Sequence, residues 1–328
     1  MTAPTTSATQ TVAALGEGVT PTRPSFLGMV RSELQKTGWR RAVWFSLLGI
    51  GLLMLAFEAL NYVGRIYSLT TVQGFGGPNQ PPPPLPSVEA ISYVVMTTLL
   101  AAVRQFSGLV IAILTVMVIS AEYQFGTIRI VLGRGLGRVR LLLAKLSVLL
   151  IVGLIALVII FALNVADLAL IAALMGQSGA VFGRVPSYFW SDAGRYLLTI
   201  LFNLVVTLLF AAVMTVLSRS LAVGLVVALV YFMVESIVSA ILQGVGQATG
   251  NKIWSDAPNY FLGTNLSYLA TTVLPRHDIL NGPGLLARGG GSPAAPFDAT
   301  HAIVVTLLYS AIFLGVSVYL TRKRDVLQ

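Results

Sequence analysis

Residues 146–175 read LSVLLIVGLIALVIIFALNVADLALIAALM, a run in which Asp167 is the one ionisable side chain. A helix rises about 1.5 Å per residue, so some 20 apolar residues cover the ~30 Å of hydrocarbon in a bilayer. This run exceeds that length. Its apolar residues are continuous, without the period-two alternation of a lipid-facing barrel strand, so it reads as a helix that crosses a membrane.

Working outward, 42–63, 196–217, 221–243 and 301–320 are similarly long and poor in charge. A sixth span lies within 88–121, where Arg104 and Gln105 interrupt the apolar run. The crossing is placed at 106–121, with 91–103 as an outer-surface helix; one long tilted helix with Arg104 in a wet interior is the alternative. With 56% hydrophobic and only 10% charged side chains, the chain has more apolar surface than a soluble core can bury. The expected fold is therefore an all-α integral membrane protein, a six-helix transmembrane bundle over 25–328.

Lys and Arg fix the orientation, because basic residues beside spans stay in the cytoplasm. With both termini inside, the inner segments hold fourteen of the 21 basic residues and the outer segments six, leaving Arg104 between them. The net charge of +9 thus sits at span ends facing lipid headgroups, so the bilayer is the expected partner and nucleic acid is not. The chain has no cysteine, which excludes disulfides and thiolate chemistry.

Residues 1–24 are rich in Thr, Ala and Pro and lack a basic and an apolar region in signal-peptide order, so a disordered tail is expected. In 25–41, Leu27, Val30 and Leu34 recur at helical spacing, which suits an amphipathic helix in the interface. Trp39 and Trp44 bracket the membrane boundary that follows. Outside, 65–89 contains the run Pro81 to Pro84 and reads as a stiff extended segment. The loop 244–300 is Gly- and Pro-rich over 282–296, but 260–274 is apolar enough for a surface or re-entrant helix.

The cytoplasmic stretch 120–146 reads SAEYQFGTIRIVLGRGLGRVRLLLAKL. A span ending in Glu122-Tyr123, then Gly126-Thr127-Ile128-Arg129, a turn, and Arg138, Arg140 and Lys145 opening the next span resembles the permease subunits of type-2 ABC (ATP-binding-cassette) exporters. The resemblance extends to Arg31-Ser32-Glu33-Leu34-Gln35-Lys36, to the six-span layout and to the tight Ser218-Arg219-Ser220 turn. It departs at the turn, where relatives commonly carry Pro and this chain has Gly133-Arg134-Gly135-Leu136-Gly137.

The resemblance implies that the loop forms a short cytoplasmic coupling helix docking on a separate ABC ATPase subunit. It also implies a second permease copy, as homo- or heterodimer, and a bacterial plasma membrane. Glu122, Tyr123, Phe125, Gly126, Thr127, Ile128 and Arg129 are the expected ATPase-coupling residues. Physically, Gly126 can end a helix, and Tyr123, Phe125, Ile128 and Ile130 offer apolar anchors beside cationic Arg129.

None of the four lysines, Lys36, Lys145, Lys252 and Lys323, stands in a Gly-Lys-Ser/Thr context, and the glycines at 133, 135 and 137 lack a βαβ setting. ATP and Mg are therefore expected on the partner, with no catalytic residue, cofactor or metal in this chain. An intramembrane enzyme would need catalytic groups at membrane depth, yet His277 and His301 fall in or beside the last outer loop. A proton- or ion-coupled carrier or a channel is the runner-up.

Glu58, Asn164, Asp167, Asn203 and Glu235 are polar residues within spans, where hydrocarbon disfavours a lipid-facing charge. They are expected to face protein or water. Glu235 is the first candidate for lining a pathway or dimer seam, with Asp167 and Asn203 beside it; an interhelical hydrogen bond from a protonated Glu235 is the other reading.

Overall fold

The computed structural model describes residues 25–38, 88–124, 137–174, 187–273 and 297–323, with helical fragments between 43 and 60. The expected tail at 1–24, most of the span at 42–63, the outer segment 65–87, the turn at 125–136 and the Gly/Pro-rich stretch 282–296 lie outside the described residues. Among the described residues every regular element is helical. They are α1 (Phe26–Gly38), α2 (Val88–Gln124), α3 (Arg138–Leu174), α4 (Phe189–Ser218), α5 (Leu221–Thr249), α6 (Lys252–Asp256), α7 (Leu262–Val273) and α8 (Ala299–Lys323). A 3-10 turn, Ala257–Tyr260, precedes α7.

Among the described residues, four stretches are long and apolar enough to cross a membrane: Arg138–Ala162, Trp190–Ser218, Leu221–Thr249 and Ala299–Lys323. Phe106–Ala121 is a shorter apolar stretch within α2. α2 corrects the preferred division of 88–121 into a surface helix and a span. It is continuous over 37 residues, about 55 Å, without a break at Arg104. The stretch holds no Pro, and the Arg104 guanidinium donates to the carbonyls of Leu266 and Ser267 on α7, 3.2 and 3.4 Å away. The charge that interrupts the apolar pattern is met by a neighbouring helix, so the backbone has no reason to break.

The core forms where α2, α3 and α4 meet. Ile111, Leu114, Leu149, Ile200 and Leu204 are fully buried there. Gly153 lets α3 approach closely: a Cβ at that position would stand 2.8 Å from Ile111 Cδ1 and 3.3 Å from Leu204 Cδ2. The same core takes in Val118 and Ile119 from the last turns of α2, Leu142 and Leu146 from the first turns of α3 and Val216 from the last turn of α4, with Leu320 of α8 packed against it. Gln124, Arg138, Ser218 and Lys323 therefore share one end of the bundle, which carries Arg138, Arg140, Arg219, Arg322 and Lys323.

Ser218-Arg219-Ser220 is a tight turn at that end. Arg219 takes a left-handed conformation (φ 52°) and donates its N–H to the Thr215 carbonyl, while Ser220 Oγ accepts from Val223 N–H. α5 leaves from it, and a Cβ at Gly224 would meet Thr215 Oγ1 at 3.1 Å. Phe210 of α4 joins α5 and α8, with ring centroids 4.7 Å from Tyr231 and 5.4 Å from Phe313.

α1 packs along α3 through Met29, Glu33 and Thr37, while Leu27 is 78% exposed. Its buried stripe is thus centred on an acidic residue. Glu33 accepts from Lys145 Nζ at 2.8 Å and from Lys36 Nζ at 3.4 Å. Trp44 Nε1 donates to the Gly38 carbonyl at the end of α1.

Candidate functional site

α7 decides the character of the opposite end. This helix buries Leu262, Leu266 and Leu269 and packs against α4, α5 and α8, so within the apolar stretch 260–274 residues Leu262–Val273 form a helix inserted among the long ones. A short helix in such a place leaves backbone N–H groups at its start that need acceptors. Glu235, in the middle of α5 and 7% exposed, supplies one: its Oε1 accepts from Thr264 N–H at 2.8 Å. Gly263 makes the approach possible, since a Cβ there would lie 2.8 Å from the same oxygen. A carboxylate at a helix N-terminus also meets the positive end of its dipole.

Asn265 strengthens the start of α7 by donating Nδ2 to the carbonyls of Asn259 and Phe261, both at 2.7 Å. His301 contacts the Asn259 carbonyl at 3.1 Å, and its ring lies against Tyr260 and Phe297. Tyr309 donates to the Tyr260 carbonyl. His301 thereby belongs to the seam between α8 and the 3-10 turn. His277 lies outside the described residues.

Between α2, α4, α5 and α7 is a cavity of about 200 Å³. Each long helix lines it with residues one turn apart: Arg104, Gly108 and Ala112 on α2, Asn203 and Thr207 on α4, Ala228 and Phe232 on α5. Small residues on α2 and α5 leave the space, and Arg104, Asn203 and Thr207 make part of its wall polar. Asn203 reaches toward α2, its Nδ2 lying 3.4 Å from where a Cβ of Gly108 would be. Arg104 has no carboxylate partner among the described residues; its contacts there are the two α7 carbonyls.

Of the residues singled out from sequence, Asn203 lines this cavity, and Glu235 stands behind Gly263 at the start of α7. Asp167, Asn164 and Glu122 lie on described helix backbone, but their side chains, and all of Glu58, are outside the described residues. Tyr123 packs half-buried against the core at the basic end of α2, whereas Phe125, Gly126, Thr127, Ile128 and Arg129 lie outside the described residues. Thr207, Gly108 and Gly263 were not singled out. The signal for the first two was present in the sequence: Thr207 is one turn from Asn203, and Gly108 one turn from Arg104.

A family model for ABC-2 family transporter proteins matches residues 38–326. The chain therefore belongs to the ABC-2 transporter family and is a membrane-embedded transporter component. A comparison with curated proteins gives no match. Members of this family are typically not themselves catalytic, and they normally work with an ABC ATPase subunit.

Proposed function

We propose that this chain is the transmembrane subunit of an ATP-driven exporter in a bacterial plasma membrane. The observation that carries the reading is the family match across nearly the whole chain, 38–326. ATP and Mg bind to a separate ATPase, and this chain converts ATPase closure into movement. Six spans cross the membrane, 42–63 being the first; α1 lies in the cytoplasmic interface, and both termini are cytoplasmic.

The ATPase pushes on the segment from Glu122 to Arg140. Support comes from the helices that flank it: α2 and α3 pack directly on each other, and Val118 and Ile119 share a cluster with Leu142 and Leu146 next to Gln124 and Arg138. A force on the connection would therefore reach two long helices together. A second permease copy completes the pathway, with the seam on the apolar outer faces of α5 and α8, where Met233, Ile237, Leu307 and Leu308 are exposed. The cavity between α2, α4, α5 and α7 is the part of the pathway contributed by each copy, with Asn203 on its wall and Glu235 supporting its rim.

The test is a detergent pull-down of the tagged chain from its native membrane, comparing wild type with Gly126→Pro/Arg129→Glu. An ABC ATPase that accompanies wild type and is lost from the variant is the expected result. Absence of any ATPase under mild crosslinking would replace this reading with an ion-coupled carrier, for which membrane-embedded Glu235 and Asp167 are the groups to examine.

A further inference from the structure

We propose that the cavity between α2, α4, α5 and α7 binds the anionic head of an amphiphile, a phosphate or carboxylate carried on an apolar tail. The assignment rests on the permease reading and names the substrate class of that same site.

Charge comes first. Arg104 lines the cavity with its guanidinium, and among the described residues no carboxylate neutralises it. Arg104 is part-buried, and a cation even partly withdrawn from water is costly without compensation. The two carbonyls on α7 engage Nη1 and fix the orientation of the group, but they bring no net negative charge. Five N–H donors in a planar fork leave enough of them for the two oxygens of a carboxylate or phosphate.

The other walls fit the same ligand. Asn203 and Thr207 add an amide and a hydroxyl from α4, and Ala112, Ala228 and Phe232 make the remainder apolar. Glu235, the carboxylate that touches Gly263, does not line the cavity and is engaged by Thr264 N–H. A volume of about 200 Å³ is below the usual ~300–1,000 Å³ of a whole small-molecule site. It holds a head and the first part of a tail, with the rest of the tail leaving between helices.

The experiment titrates three probes into the purified full chain in a neutral detergent, followed by calorimetry: dihexanoyl phosphatidic acid, dihexanoyl phosphatidylcholine and inorganic phosphate. The expected result is that phosphatidic acid binds at least tenfold tighter than either of the others. Arg104→Gln should weaken that binding tenfold or more, and Arg104→Lys less. Asn203→Leu and Thr207→Val keep Arg104 in place and should each weaken it several-fold, so the outcome does not depend on whether Arg104→Gln folds.

Equal binding of phosphatidic acid and phosphatidylcholine would overturn the anionic head, and equal binding of phosphatidic acid and inorganic phosphate would overturn the amphiphile. Wild-type binding by both α4 variants would overturn the location. None of these outcomes involves the ATPase, so an ATPase captured without anion binding leaves the permease reading standing, and anion binding without an ATPase removes it.

Discussion

Glu235 is held at membrane depth by a backbone N–H rather than by a basic side chain. Its Oε1 accepts from Thr264, so Glu235→Ala leaves a buried donor without a partner and should cost about 1–3 kcal/mol. Glu235→Gln keeps an acceptor oxygen at that position and should cost clearly less; thermal unfolding of the detergent-purified variants separates the two. Arg219 gives a second residue-level test. Its φ of 52° is tolerable for Arg and easier for Gly, but β-branched side chains are strained there. Arg219→Val should lower stability by about 1–2 kcal/mol, while Arg219→Gly should unfold at or above the wild-type temperature in the same assay. Glu235 stood out in the sequence because a carboxylate in a 23-residue apolar run has to be accounted for. Its partner did not stand out, since Thr264 is a backbone donor 29 residues away whose need for an acceptor arises only once α7 inserts among the long helices.

At the scale of elements, α1 is tied to α3 by a charge pair withdrawn from solvent. Glu33 and Lys145 are 2.8 Å apart and their side chains are 10% and 4% exposed. Losing the short contact weakens the compensation of the group left behind, with Glu33 keeping Lys36 at 3.4 Å, so Lys145→Met or Glu33→Leu alone should cost about 1–3 kcal/mol, and the double variant should recover part of the loss. A cycle of unfolding temperatures reads this directly. Periodicity places Leu27, Val30 and Leu34 on the apolar face of an interfacial helix, and the side of α1 buried in protein is Met29, Glu33 and Thr37. Hydrophobic periodicity locates a helix's apolar face, which here need not be its protein face: in a membrane, lipid is an equally good partner for Leu27. The same limit explains α2. Arg104 looked like a helix boundary only because its carbonyl partners on α7 are more than 160 residues away. Gly153 marks the contact of α3 with α2 and α4; Gly153→Val should destabilise by about 1–3 kcal/mol, whereas Gly315→Ala, with nothing within 4 Å, should be neutral or slightly stabilising.

For the whole molecule, the all-α membrane class was legible because the bilayer imposes a length that few soluble sequences satisfy. The long helices α4, α5 and α8 start within a few residues of the boundaries set by apolar length, apart from the N-terminal extension of α4 to Phe189. The cavity was legible in fragments: Asn203 and Arg104 were visible as polar interruptions, but which helices neighbour one another is fixed by tertiary packing. The central claim concerns the basic end, where α2 and α3 present Glu122 to Arg140 to an ATPase. Because the chain has no native cysteine, a single Thr127→Cys change places one thiol on that segment, and Ser292→Cys places one in the last outer loop as a control. The measurement is thiol-directed photocrosslinking in native membranes, with identification of the adducts. The account predicts an ABC ATPase crosslinked from position 127 and none from position 292; an ATPase adduct from 292, or none from 127 while the thiol is labelled from the cytoplasmic side, would contradict it.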